Sequence, residues 1–200
     1  MAPPLILASK STTRQRLLAN AGINFEVCAA HIDEEEIRLQ CRKEKKLVET
    51  TALQIARTKG SVISVKFPES LVISADQILE KDKTWYKKPS NKAEARAQLK
   101  ALSGEQHRLI TACCVYWGNN ERWHDISTAQ MSVRILSNTF IEQYLDSIGE
   151  DAFDSVGAYQ LEGRGVNLFD TIDGDFFSIL GLPILSLLAF LRQISAQASI

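Results

Sequence analysis

Little in the chain marks a metal centre, a redox site or a familiar hydrolase. Its four cysteines, Cys28, Cys41, Cys113 and Cys114, form no C-x-x-C pair and have no histidine pair nearby, which argues against zinc and thioredoxin-like chemistry and favours buried or incidental thiols. Cys113 and Cys114 are adjacent in the apolar run 109–117; in a strand their side chains face opposite ways and cannot easily bond each other. His31, His107 and His124 share no ligand or triad spacing, so ordinary core or surface roles are expected. No G-x-S-x-G or Walker sequence occurs. Neither charge dominates: 23 Lys and Arg face 24 Asp and Glu, a formal charge of -1. No net field therefore draws the chain to a nucleic acid polymer or an acidic membrane, and any anion site must be local. The longest apolar stretch, residues 179–191, is broken by Gly181, Pro183 and Ser186 and is short of the roughly 20 residues a spanning helix needs. Residues 1–7 have neither a basic region nor an apolar run long enough for a secretory signal, so a cytoplasmic protein is expected. Repeats, low-complexity segments and Gly/Ser linkers are absent, so residues 1–200 are expected to form one domain.

What is present is an ordinary globular composition, 45% hydrophobic and 24% charged over 200 residues, enough to bury about 70% of the unfolded surface. Residues 5–7 read as a short buried strand, followed by a helix capped by Ser9 or Ser11 and stopped at Gly22. A strand at 25–27, an acidic loop at 33–36 and a helix over 48–62 follow. An apolar strand at 71–74 leads to a turn holding Asp76 and a second short strand at 78–79. A helix is predicted for 92–102, strands for 109–117 and 126–135 joined by a hairpin turn at 118–120, and a helix from Ser137 or Asn138 through Ile148. A glycine-containing segment at 157–165 and a strand near 166–172 precede a closing helix with Pro183 at its first position. Alternating helices and strands with hairpins predict a mixed α/β fold, a long mixed sheet flanked by helices.

Lys10, Arg14 and Arg16 stand at the start of the first helix, where the macrodipole disfavours cations by roughly 0.3 to 1 kcal/mol each. An anion would offset this, and the free N–H groups of the first turn with Ser9, Ser11, Thr12 and Thr13 describe a polyphosphate cradle; a Ser-capped exposed helix with stray basic residues fits equally. Asp76, directly after an apolar strand, suits a hard cation at a strand's carboxyl end, together with Asp33 and Glu34. The alternatives are a turn residue and a solvated acidic run. Lys87 and Lys88, before Pro89, either neutralise a phosphate or form an exposed turn.

The segment Leu7-Ala8-Ser9-Lys10-Ser11-Thr12-Thr13-Arg14-Gln15-Arg16-Leu17-Leu18 resembles the L-A-S-x-S-x-x-R-x-x-L-L opening of the Maf proteins, septum-formation inhibitors and nucleoside triphosphate pyrophosphatases. Six further segments resemble the family in order: Asp33-Glu34, Ile55-Ala56-Arg57-Thr58-Lys59, Ile73-Ser74-Ala75-Asp76-Gln77, Lys88-Pro89, Leu102-Ser103-Gly104-Glu105-Gln106-His107 and Gly157-Ala158-Tyr159-Gln160-Leu161-Glu162-Gly163; Gly181-Leu182-Pro183 closes the series. The resemblance implies a Maf/inosine-triphosphatase-like fold with two lobes around a nucleotide cleft, often a homodimer, cleaving a nucleoside triphosphate to monophosphate and pyrophosphate with Mg2+ or Mn2+. It implies Ser9, Arg14 and Lys59 for substrate binding, Asp76, Lys88 and Glu162 for catalysis, and Glu34 with Asp76 for metal. Thr13 and Ser155 depart from an arginine and a lysine found in many members. Gln77 and Glu162 resemble the branch acting on 7-methyl-GTP, whereas the Tyr159 segment resembles the pyrimidine branch. A nucleotide-binding regulator of division without turnover, a pyrimidine pyrophosphatase and a phosphatase acting on a non-nucleotide are the competing readings.

Overall fold

The computed structural model describes residues 3–197; Met1 and Ala2, with which the amino-terminal reading begins, and residues 198–200 lie outside it. The strands are β1 (Leu5–Leu7), β2 (Glu26–Val27), β3 (Leu71–Lys81), β4 (Thr84–Tyr86), β5 (Gln106–Trp117), β6 (Asn120–Val133) and β7 (Phe169–Asp173). The α-helices are α1 (Thr12–Asn20), α2 (Glu34–Lys43), α3 (Val48–Lys66), α4 (Lys92–Leu102), α5 (Asn138–Ile148), α6 (Phe176–Ile179) and α7 (Ile184–Gln197). They build the mixed α/β fold expected, with one sheet in the order β2-β1-β3-β5-β6-β7 and β4 on β3. β1 runs parallel to β2 and β3, while β3–β4 and β6–β7 are antiparallel. Two compact units share the described residues, one drawn from those up to Asp76, Thr111–Ser127 and those from Gly181 on, the other from Gln77–Ile110 and Thr128–Leu180.

In the first unit β1 pairs Leu5, Ile6 and Leu7 with Leu71, Val72 and Ile73. Ile6, Leu7, Val72 and Ile73 are all buried there, as are Leu18 of α1 and Ile55 and Ile63 of α3. Ser11 caps α1 by accepting from the Arg14 N–H. Asp33 does the same for α2 through the Glu36 N–H at 2.9 Å, so the expected acidic loop at 33–36 is the first turn of a helix. The physical reason is charge order: Glu34, Glu35 and Glu36 lie at the positive end of the macrodipole and Arg42 and Lys43 at the negative end.

The strand–turn–strand reading of residues 71–79 is also corrected. β3 is continuous through Asp76, because the residues before it are buried, as are Ile78 and Leu79 past half-buried Gln77, and the ladder has no reason to break. The carboxyl end that exposes Asp76 to a site belongs to β1, which stops opposite Ile73. α3 extends to Lys66, β5 begins at Gln106 and β6 covers 120–133; α4 and α5 match their expected limits. β7 starts at Phe169 because residues 164–168 form a 3-10 turn, and α7 begins one residue after Pro183.

The second unit has its own apolar core, including Leu79, Leu99, Leu102, Met131, Ile141 and Leu145. Gly157, with φ of +81°, sits where a Cβ would meet the Tyr159 ring at 2.6 Å and Leu79 at 2.7 Å, so this position requires glycine. Tyr159 is buried, its hydroxyl 2.8 Å from His107 Nε2 and donating to Met131 Sδ at 3.4 Å. His107 and Tyr159 thereby fix the 157–163 segment against β5 and β6.

Candidate active site

Arg14 is the buried member of the basic trio at α1; Lys10 and Arg16 are exposed. Its Nε donates to the Gly181 carbonyl at 2.9 Å and its Nη1 to the Ala75 carbonyl at 3.0 Å and Ser9 Oγ at 3.2 Å. All three acceptors are neutral, so they orient the guanidinium without cancelling its charge. Burial draws its pKa below the ordinary value, and the negative charges of Asp76 and Glu34 oppose that. Gly181, with φ of +111°, would place a Cβ 3.0 Å from Arg14 Nε; its glycine lets the backbone carbonyl approach the guanidinium. Ser9 Oγ also accepts from the Ser11 N–H at 3.2 Å, which leaves its own proton available to donate.

A second cluster is built from α2, α3 and β3. Lys59 Nζ lies 2.8 Å from Glu34 Oε1 and 2.9 Å from Asp76 Oδ1. Asp76 is 4% exposed and Lys59 8%; Lys59 keeps Glu34 if the Asp76 charge is lost, whereas loss of Lys59 strands the buried Asp76 carboxylate, a change that typically costs about 3 to 5 kcal/mol. The Glu34 side chain is 43% exposed and forms the open side of the cluster. Arg38, one turn beyond Glu34 on α2, puts Nη2 3.5 Å from Asp76 Oδ2 and 3.9 Å from Glu34 Oε2. His31, Ile32, Asp33 and Glu34 line a shallow, open depression at this end of α2.

The first unit thus brings together Ser9, Arg14, Glu34, Lys59 and Asp76 of the residues expected from sequence. Lys88 and Glu162 belong to the second unit. Lys88 is exposed in the segment between β4 and α4. Glu162 is half-buried in the turn after Tyr159, where its charge adds to the burial that pushes the Tyr144 hydroxyl up to about 12. Gln77 donates to the carbonyls of Ser178 and Ile179 at 3.2 and 3.0 Å, anchoring α6. Arg38 lies outside the sequence motifs; its signal is the Glu34/Arg38 spacing, which places both on one face only where 33–36 opens a helix and not a loop.

Two carboxylates meeting one cation is also the arrangement a divalent ion needs when substrate phosphates complete its shell. Among the described residues no group of three or more His, Cys, Asp or Glu could hold a metal alone. The donor set therefore fits an ion that arrives with a phosphate ligand.

Comparison with known proteins agrees with this chemistry. A family model described as "Maf-like protein" matches residues 4–194. The 7-methyl-GTP pyrophosphatase of Rhizobium johnstonii is 43% identical over 98% of both chains. The nucleoside triphosphate pyrophosphatase of Nitrobacter hamburgensis is 46% identical over 95% of this chain and 93% of its own. That of Paramagnetospirillum magneticum is 44% identical over 94% and 97%. With a family model spanning almost its whole length and relatives of this similarity, the chain belongs to the Maf family.

Proposed function

We propose that this protein is a hydrolase of acid anhydrides, a nucleoside triphosphate pyrophosphatase that releases the nucleoside monophosphate and pyrophosphate. The observation that carries the reading is the buried Asp76, flanked by Lys59, Arg38 and Arg14 within one unit; the names of its relatives support the same reaction. Water bonds to phosphorus at the α–β bridge, the bridging P–O bond breaks, and the electron pair leaves on pyrophosphate. Asp76 accepts the water proton or orients the water. Arg14 and Lys59 stabilise charge developing on the phosphate oxygens, Lys59 through its third N–H, and Ser9 donates a hydrogen bond. Lys88 is proposed as a further catalytic cation. Mg2+ or Mn2+, when bound by Glu34 and Asp76, would offset phosphate charge. The protein is proposed to work as one Maf-like domain over residues 1–200, as a cytoplasmic homodimer that takes a free nucleotide and neither nucleic acid nor membrane. No helix among the described residues is long and apolar enough to cross a membrane.

Incubation with a nucleotide panel and Mg2+ or Mn2+, with pyrophosphate separated from orthophosphate, tests the reaction. Pyrophosphate release supports it; orthophosphate alone, or binding without product, overturns it. For the base, Glu162 favours 7-methyl-GTP, whose ring carries a positive charge that a carboxylate attracts and a neutral pyrimidine lacks. In the wild type kcat/KM should rank 7-methyl-GTP above GTP, UTP and dTTP, and Glu162→Gln should lower it for 7-methyl-GTP by about tenfold more than for UTP. An equal loss on all substrates removes Glu162 from base selection.

A further inference from the structure

Arg38 holds its donors in an arrangement that the resting protein does not use. Where an arginine of this protein meets one carboxylate squarely, it uses Nε and Nη2 together. Arg57 grips Glu121 in this way at 2.7 and 2.9 Å, and Arg96 grips Glu142 with the same two atoms. The Arg38 edge is filled differently. Its Nη2 makes only long contacts to Asp76 and Glu34, and its Nε is buried with no hydrogen-bond partner. Buried N–H donors are seldom left unpaired, since the lost hydration is not recovered.

The carboxylates explain why Arg38 is under-used. Lys59 already takes Glu34 Oε1 and Asp76 Oδ1 at short range. With Arg14 nearby, three cations, Arg14, Arg38 and Lys59, gather on the two carboxylates of Asp76 and Glu34, and Arg38 is left with the longest contacts to them. Its guanidinium is a planar two-donor fork that matches two oxygens of a phosphate, a match that an ammonium cannot reproduce. Arg38 is also anchored on α2, the helix that carries Glu34 in its first turn.

We propose that Arg38 is a polyphosphate-binding residue: when the triphosphate enters, the side chain turns its Nε/Nη2 edge to two oxygens of one phosphate, while Lys59 keeps Asp76 and Glu34 in place. The proposal deepens the pyrophosphatase reading and rests on it. Calorimetric titration of inorganic pyrophosphate into wild type, Arg38→Lys and Arg38→Met, alongside kinetics on the best nucleotide, tests it. Arg38→Lys keeps the charge and loses the fork, so it should weaken pyrophosphate binding by about tenfold and raise KM to match, Arg38→Met by more. KM should rise by more than kcat falls, and the thermal midpoint of the unliganded protein should not fall. Wild-type affinity and KM in both folded variants overturn the proposal, as does a lowered thermal midpoint with affinity intact, which would make Arg38 structural. The two readings fail separately. A wild type that hydrolyses no nucleotide yet loses pyrophosphate binding on Arg38→Lys overturns the activity and supports the Arg38 role; normal hydrolysis with unchanged KM in Arg38→Lys overturns that role alone.

Discussion

Asp76 shares Lys59 with Glu34, and this makes its charge separable from its structural contribution. Asp76→Asn keeps the shape and removes the charge, and Lys59 retains Glu34 at 2.8 Å. Turnover should therefore fall by about 10²- to 10⁴-fold while the thermal midpoint stays near that of wild type, as steady-state kinetics and a melting curve would reveal. Near-normal turnover over a range of Mg2+ concentrations would remove Asp76 from the reaction. Ser9, Arg14, Glu34, Lys59 and Asp76 were legible in the sequence because short motifs carry them. What the motifs could not supply was the partner of each charge. That Arg14 is held by the Gly181 carbonyl, 167 positions away, and that Lys59 bridges two carboxylates are products of the tertiary fold. The glutamine after Asp76 is similar: resemblance gave it a branch, and the structure gives it two backbone carbonyls to hold.

At the scale of elements, α2 couples stability to the site, because its first turn carries Glu34 and its second Arg38. The Asp33 cap holds that turn, so Asp33→Ala should cost about 1 kcal/mol, a drop of about 2 to 4 °C in thermal midpoint for a chain of this size. KM should rise as Glu34 loosens. Asp33→Ser, which keeps an acceptor and drops the charge, should restore both in melting and kinetic assays; failure to do so would assign the effect to charge. Helices with a clear cap and apolar spacing, α4 and α5, were readable to the residue. β3 was not, because Asp76 and Gln77 interrupt an apolar run and look like a turn; only pairing across the sheet shows that the strand continues. The acidic opening of α2 was misread for a related reason, since charge looks like solvent exposure until the helix dipole is considered.

For the molecule as a whole, the burial of His107 makes the fold sensitive to acid. Burial pushes the His107 pKa down to about 4 from its ordinary 6.5, so between those values the unfolded chain binds a proton that the folded one excludes. Stability is unaffected above that range and falls as pH drops through it, by about 1.4 kcal/mol for each pH unit fully traversed. Urea midpoints measured from pH 7.5 to 4 should decline, and His107→Gln should flatten the decline; an equal slope in the variant would place the acid sensitivity elsewhere. The cysteines offer a different use of burial. Cys41, Cys113 and Cys114 are buried and Cys28 is partly open, and burial raises the Cys113 and Cys114 thiols, Cys114 to about 12. An alkylating reagent should modify Cys28 in the native protein and the other three only when the structure opens. Counting labelled thiols by intact mass as denaturant rises would then give an unfolding curve with no fluorophore and no substrate.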